Sequence, residues 1–129
     1  MVFKEITDDI IVQEGTFGYS FIASGTIYGG QVVKMAGPMQ VAKAEVSTDN
    51  AIGVAAYYVT KGEAVTVYGP GNIVRGHCPS TATANGADLF AGNDGCFQDD
   101  EAYGGTRPCI GIAVEVSAGG SGSAKILLK

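Results

Sequence analysis

The chain lacks several residue types that usually mark catalytic or metal sites. Its 129 residues contain no tryptophan and one histidine, His77. A structural zinc site usually takes four Cys or His ligands, often from C-x-x-C pairs, and one histidine with three isolated cysteines does not form such a set. His77 adjoins Cys78, and neighbouring residues of a strand point to opposite faces, so we do not expect a catalytic Cys–His pair. We interpret His77 as a structural or surface residue.

Charged residues are also scarce, at 16% of the chain, and the net charge is −5 with eight scattered Lys and Arg residues. Direct binding to nucleic acid needs a clustered basic face, so we expect none. No apolar run approaches the length that crosses a bilayer, and the N-terminus lacks the pattern of a signal peptide. We therefore expect a soluble chain, made in a cytosol, that binds no membrane.

Motifs of common enzyme classes are incomplete or missing. Gly69-Pro70-Gly71 lacks the third glycine of a dinucleotide-binding loop, because Val74 stands at that position. Asp99-Asp100-Glu101 lacks the alternating spacing of a calcium loop. Lys34 resembles the modified lysine of biotinyl and lipoyl carrier domains, but it lies inside a predicted strand instead of at a hairpin tip. The sequence predicts no enzyme, no metal and no cofactor.

Three cysteines, Cys78, Cys96 and Cys109, are spread through the second half of the chain. The first interpretation is that they are buried or half-buried thiols. Their odd number also leaves open one internal disulfide with a remaining thiol, or a disulfide between subunits. Either bridge requires that the mature protein reaches an oxidising medium.

The sequence nearly repeats itself at an offset of 58 residues. Gly37-Pro38-Met39-Gln40 returns as Gly95-Cys96-Phe97-Gln98, and Ile52-Gly53-Val54-Ala55 returns as Ile110-Gly111-Ile112-Ala113. Seven of nineteen positions are identical across residues 37–55, where chance predicts roughly one or two. Two copies are too few for a solenoid, so we predict two similar halves, residues 29–68 and 86–128, in one body. Coincidence in a glycine- and alanine-rich chain is the alternative.

Short apolar runs bounded by Gly, Pro, Asn or Asp predict strands throughout. They are Ile10–Gln13, Tyr19–Ile22, Gln31–Met35, Met39–Val41, Ile52–Val59, Ala64–Tyr68, Asn72–Arg75, Asp88–Phe90, Cys96–Gln98, Cys109–Val116 and Ala124–Leu128. The turn at residues 60–63 predicts a hairpin between the fifth and sixth runs. Helix is expected for one or two turns at most, near Val41–Glu45. The predicted class is all-β, a small compact barrel or sandwich built from two similar halves.

Residues 1–22 have no counterpart in the repeat, so we divide the chain into this segment and a single β-rich domain, residues 23–129. The segment is apolar at Met1–Phe3 and again at Ile10–Val12. Such a pattern fits ordinary first strands. It equally fits an N-terminal arm that pairs with the sheet edge of another protein.

The order of several short motifs resembles capsid cement proteins, the head decoration proteins of tailed phages. A G-V-A strand in Ala51–Ala55 leads to the G-E turn and alternating strand of Gly62–Val67. The second half continues with Gly86–Gly95, then with Cys109–Glu115 and Lys125–Leu128, which are similar to the closing segments of that family. The resemblance covers roughly residues 24–128, and the order and spacing of the motifs are more specific than each motif alone.

This resemblance implies a virion structural protein on the outer surface of an icosahedral capsid. Members of the family bind expanded heads, often as homotrimers, and clamp neighbouring major capsid subunits. The expected partners are therefore the major capsid protein and further copies of this chain. The apolar residues of the arm, Val2, Phe3, Ile10, Ile11 and Val12, are then the expected capsid contacts. In a virion, Cys78, Cys96 or Cys109 could also crosslink subunits.

The alternative is a β-rich binding module, carbohydrate-binding or adhesin-like, on a virion or cell surface. Such modules present exposed aromatic rings to sugars. In the absence of tryptophan, the candidates for these rings are Tyr57, Tyr58, Tyr68 and Tyr103. A small barrel enzyme is a third interpretation, with no catalytic residues to support it.

Overall fold

The structure is a computed structural model that describes residues 3, 5–6, 9–13, 15, 18–45, 50–78, 85–98, 109–115 and 123–129. Eleven strands account for almost all of its regular structure, with one single-turn 3-10 helix at Asn93–Gly95. The strands are β1 Ile11–Gln13, β2 Tyr19–Ala23, β3 Val32–Gly37, β4 Gln40–Lys43, β5 Ala51–Ala55, β6 Ala64–Tyr68, β7 Ile73–His77, β8 Asp88–Ala91, β9 Phe97–Gln98, β10 Gly111–Glu115 and β11 Ser123–Leu128. The predicted all-β class is confirmed.

The strands form a closed barrel and a six-stranded sheet. The barrel has the order β2-β4-β3-β5-β6, and β6 pairs with β2 to close it. All its pairings are antiparallel except β2 with β4, where Ile22 lies opposite Gln40 in a parallel ladder. The sheet has the order β1-β7-β11-β10-β8-β9 and is antiparallel throughout. The predicted barrel or sandwich therefore contains both a barrel and an open sheet.

The order of the strands repeats between the two halves of the chain, over wider bounds than the predicted residues 29–68 and 86–128, because it includes β2 and β7. In the first half the neighbours run β2-β6-β5-β3-β4, and in the second half they run β7-β11-β10-β8-β9. Each strand of one half thus has a counterpart in the same place of the other half. The halves differ at their ends, because β4 pairs with β2 to close the barrel, whereas β7 pairs with β1. In the described residues β9 pairs with β8 alone.

Two apolar cores hold these layers together. One fills the barrel and includes Val33 and Ala55; the other joins the barrel to the sheet and includes Val32 and Val54. Consecutive residues of β3 and β5 therefore point into different cores, as the alternation of a strand requires. Burial of each such side chain contributes about 1.5–3 kcal/mol. Both faces of these two strands are buried, which makes β3 and β5 the centre of the molecule.

Two sequence predictions about local structure are wrong. The expected helical turn near Val41–Glu45 is instead β4, because its backbone pairs with β3, with Ala42 opposite Lys34. The long strand predicted for Ile52–Val59 ends at Ala55. Residues 56–58 leave the ladder, and Val59 rejoins the fold through a bridge with Ile27. The predicted pairing of β5 with β6 is present, although residues 56–63 connect them by a longer route than the four-residue turn.

Two strands of the fold, β1 and the start of β2, lie in the described part of residues 1–22. β1 forms an edge of the sheet, with Ile11 opposite Val74, and β2 belongs to the barrel. The boundary placed between residues 22 and 23 falls inside β2. Among the described residues, no helix has the length and hydropathy to cross a membrane.

Candidate functional site

Asp94 joins the start of the chain to both halves of the fold. Its backbone is left-handed, with φ 56°, in the turn between β8 and β9. The Asp94 carbonyl accepts from Gln31 Nε2 at 2.9 Å, and its N–H donates to Glu45 Oε2 at 3.0 Å. Its carboxylate accepts from the Phe3 N–H at 2.9 Å and from Lys43 Nζ at 2.5 Å. One side chain therefore ties the N-terminal segment to β4.

Asp94 and Lys43 each stabilise the charged form of the other. Burial raises the pKa of Asp94, but the hydrogen bonds from Lys43 and the Phe3 N–H, together with the Lys43 charge, lower that pKa by more. The hydrogen bond to Asp94 raises the pKa of Lys43 against the opposing effect of burial. Both groups are therefore charged at neutral pH, and the backbone of Phe3 is held by a carboxylate.

Phe3 begins a row of aromatic rings. Its ring stacks on Tyr28, with centroids 6.5 Å apart, and meets the edge of His77 at 5.9 Å. Tyr28 in turn contacts Tyr58, with centroids 5.1 Å apart. The buried His77 thus packs against the N-terminal segment, which fits the structural interpretation of this residue. The row fixes the position of the Tyr58 ring.

A groove with a volume of about 360 Å³ lies beside this row. One side is formed by the N-terminal segment, and the other by residues 56–58 and the outer end of β6. Tyrosine rings, apolar side chains and oxygen-bearing groups all line it: Tyr57, Tyr58, Tyr68, Ile6, Ile11, Glu5, Asp9 and Thr66. Three of the four tyrosines predicted as sugar platforms therefore meet in one groove; Tyr103 lies outside the described residues.

The N-terminal side of the groove is fixed to the sheet and to the barrel. The Arg75 N–H donates to the Ile10 carbonyl at 2.7 Å, and the Arg75 guanidinium donates to the carbonyl of Asp9. Gly30, with φ +90°, leaves room for Ile6, whose Cδ1 lies 2.5 Å from where a β-carbon of residue 30 would stand. The double glycine before β3 therefore permits the N-terminal segment to pack closely on the barrel.

The five expected capsid contacts do not form one exposed surface. Ile10 is buried in the core between barrel and sheet, and Ile11 packs against the same core. Phe3 is half-buried in the aromatic row, Val12 is exposed on β1, and Val2 lies outside the described residues. Ile10 therefore faces the protein's own core, and capsid contact by the five residues stays a prediction.

An exposed apolar surface that sequence reasoning missed lies on the barrel. Ile22 is 41% exposed and Met39 is 59% exposed, and the Ile22 N–H donates to the Met39 carbonyl at 2.9 Å. Tyr19, at the other end of β2, is 68% exposed. A signal was available at Met39, which follows Gly37-Pro38 and occupies a left-handed turn position with φ 55°. A large apolar side chain on a tight turn points into solvent.

The three cysteines are thiols in the structure. Cys78 and Cys96 are buried, and burial raises the pKa of Cys96 to about 12, with a further increase from the Asp94 charge. Cys109 is half-buried, and its Sγ donates to the Gly111 carbonyl at 3.3 Å. The expectation of a disulfide stays a prediction. Of the three thiols, Cys109 is the one that is partly exposed, so it is the one that a disulfide to another subunit would use.

Sites for other chemistry are not assembled in the part of the chain that the structure describes. No group of three or more His, Cys, Asp and Glu side chains is close enough there to hold a metal ion. Lys34 lies within β3, opposite Ala42 and Ala51, away from any hairpin tip. It is therefore not placed as the modified lysine of a carrier domain is.

Comparisons with known proteins identify the fold. No family model and no curated protein match the chain. The crystal structure of the head fiber gp8.5 N base of bacteriophage phi29 is similar, with a TM-score of 0.64 and 19% identity, and the match covers 87% of this chain and 92% of that chain. At that identity the likeness shows a common fold. The predicted small all-β fold is therefore confirmed, and one solved structure that shares it is the base of a phage head fiber.

Proposed function

We propose that this chain is a structural protein of a phage virion and decorates the head. The observation that carries the proposal is the structural likeness to a head fiber base over 87% of the chain. The ordered motifs of the two halves support it independently, since they were recognised without the structure. A protein of this kind acts by binding, and we propose that the chain is not an enzyme.

The finer proposal is that the chain binds the outer surface of the capsid and clamps neighbouring major capsid subunits. A clamp must be rigid. The two apolar cores make this body rigid, because β3 and β5 contribute side chains to both of them. We also propose a homotrimer, because a symmetric oligomer presents several copies of a weak contact to the lattice at once. Multivalent contacts then hold more firmly than any single contact.

The contact surface that best fits this function is the exposed apolar pair Ile22 and Met39, whose backbones are joined by a hydrogen bond. Large apolar side chains at the centre of an interface supply most of its binding free energy when a partner covers them. Ile22 belongs to the segment, residues 1–22, for which the sequence predicted capsid contact. Met39 adds a neighbouring residue from outside that segment.

Purified heads without decoration provide the direct test. The chain is mixed with heads, the heads are sedimented, and bound protein is measured against its concentration. We expect saturable co-sedimentation, and heads that retain their DNA to higher temperature when decorated. Protein that stays in the supernatant at micromolar concentration overturns the proposed function. Sedimentation equilibrium of the chain alone tests the trimer, with a mass three times the 13.1 kDa of the monomer expected.

Substitutions test the contact surface. Ile22→Lys and Met39→Lys together should weaken head binding about tenfold or more, because each places a charge where an apolar contact is needed. Val114→Lys is the matched control, since Val114 is an exposed apolar residue of β10 on the other sheet. Equal loss from both variants would show that added charge, and not the position on the barrel, weakens binding.

A further inference from the structure

We infer that the groove between the N-terminal segment and the barrel is a binding site for uncharged carbohydrate. This activity would be separate from attachment to the head, which Ile22 and Met39 are proposed to serve. The groove is defined by Tyr57, Tyr58 and Tyr68 on one side and by Glu5 and Asp9 on the other.

The tyrosines of the groove present the surface that a sugar ring needs. Tyr57 and Tyr58 are 48% and 52% exposed, although each carries a large aromatic ring. One face of a pyranose is formed by C–H groups, which pack on the electron-rich face of an aromatic ring. Tyr58 is braced by Tyr28, itself stacked on Phe3. Its ring is therefore already positioned, and binding requires little loss of conformational entropy.

Oxygen-bearing groups around these rings match the hydroxyls of a sugar. The carboxylates of Glu5 and Asp9 accept hydrogen bonds, and the hydroxyls of Tyr57 and Thr66, 3.5 Å apart, can donate or accept. Aromatic walls with a few polar groups are the usual composition of a small-molecule site. The volume of about 360 Å³ falls at the lower end of the usual range, about 300–1,000 Å³, and suits a mono- or disaccharide.

The charges of the groove select among sugars. Its described lining carries two carboxylates and no Lys or Arg side chain, so sialic acids, uronic acids and phosphate-bearing glycans are repelled. The guanidinium of Arg75 binds the Asp9 carbonyl beside the groove and offsets part of this negative charge. The occupant that we propose is a neutral sugar, because exposed tyrosine faces pack on its C–H groups; binding of a cationic peptide is the competing outcome of the test.

The test begins with the labelled full-length protein on an array of neutral, acidic and amino glycans. We expect binding to neutral glycans, with an affinity that is nearly the same at low and high NaCl because no ion pair is formed. Titration of the free sugars that give signals, followed by NMR of the protein amides, supplies dissociation constants. Tyr57→Ala and Tyr58→Ala should each weaken binding about tenfold, whereas Tyr58→Phe keeps the ring and should retain most of the affinity.

Tyr19→Ala is the matched control, because Tyr19 is an exposed tyrosine that does not line the groove. It should leave sugar binding unchanged, while Tyr58→Ala should weaken sugar binding and leave binding to heads unchanged. Circular dichroism checks that each variant is folded. The two functions can then fail separately: loss of head binding does not affect the sugar measurement.

Several results would overturn the inference. They are the lack of signal from neutral glycans at millimolar free sugar, signals confined to acidic glycans, and full binding by the Tyr57→Ala/Tyr58→Ala double variant. A fourth is preferential binding of arginine- or lysine-bearing peptides that is lost at high NaCl, which would make the groove a protein contact.

Discussion

Gly53 and Gly111, which are 58 residues apart, occupy equivalent strands of the two halves, and neither has room for a side chain. A β-carbon at residue 53 would stand 2.1 Å from the Tyr68 carbonyl oxygen of β6. At residue 111 it would stand 2.6 Å from Ile126 Cγ2 of β11. The sequence repeat therefore preserves a packing constraint between paired strands, beyond the order of the strands alone.

This constraint predicts that Gly53→Ala and Gly111→Ala both destabilise the protein by about 1–3 kcal/mol, because the paired strand must move. Gly53→Ala should lower the free energy of unfolding more than Gly111→Ala does. The carbon added at residue 53 meets a backbone carbonyl, which cannot rotate away as a side chain can. Gly25→Ala is the control, because no atom lies within 4 Å of the added carbon. Urea denaturation measures the free energies of unfolding. Equal stability of all three variants would contradict the packing argument.

Asp94→Asn should lower the free energy of unfolding by about 1 kcal/mol at pH 7, because the amide loses the ion pair with Lys43. Asparagine tolerates the left-handed backbone of residue 94 better than alanine does, so Asp94→Ala should lower the free energy of unfolding more than Asp94→Asn. Since folding lowers the pKa of Asp94, its contribution is complete above the ordinary value of 3.8 and is lost as pH falls through the folded value.

The difference between wild type and Asp94→Asn should therefore be constant from neutral pH down to about 5 and shrink at more acidic pH. Thermal unfolding across this range measures it. Asp88→Asn, on an exposed residue of β8, is the control and should track wild type throughout. A difference that grows on acidification would contradict the proposed ion pair.

Cys96 should be unreactive in the native protein. Burial raises its pKa to about 12, which leaves about one thiolate in ten thousand at pH 8. An aromatic disulfide reagent at pH 8 should therefore modify Cys109 first and all three thiols only after denaturation. Peptide mapping by mass spectrometry identifies the modified residue. Rapid labelling of native Cys96 would show that the thiol is accessible.

Deletion of Met1–Asp9 tests whether the N-terminal segment is a second contact with the head beside Ile22 and Met39: head binding should weaken while the β-sheet signal in circular dichroism is retained. The deletion removes the Phe3 ring from Tyr28 and the Phe3 N–H from Asp94, so the melting temperature should fall by several degrees. Phe3→Ala is the companion variant that separates the aromatic contact from the rest of the segment. Unchanged occupancy on heads would refute a role for the segment in attachment.

The strands and the repeat could be predicted because their signals are local. Apolar alternation, glycines at turns and an offset of 58 residues are all visible in the sequence. Asn93-Asp94-Gly95 is likewise a local turn sequence, rich in the residues that favour turns. Its role as a junction could not be predicted, since the partners of Asp94 lie 49 to 91 residues away and no local pattern specifies them.

The wrong predictions also concern residues whose structure depends on partners that are distant in the sequence. Residues 41–45 include alanine, lysine and glutamate, which favour helix, but pairing with β3 overrides that weak propensity. The apolar run Ile10–Val12 has one pattern whether it pairs with its own sheet or with another protein. The groove tyrosines were recognised as aromatic residues, but their meeting depends on β5 ending early at Ala55.

The closed barrel and the open sheet differ in whether a further strand can pair with them. Because β4 pairs with β2, the barrel exposes no ladder of unpaired backbone groups to a passing strand. The sheet ends in β1 and β9, which are three and two residues long in the described part of the chain. A further strand would therefore pair with an edge of the open sheet, at β1 or β9, and not with the barrel.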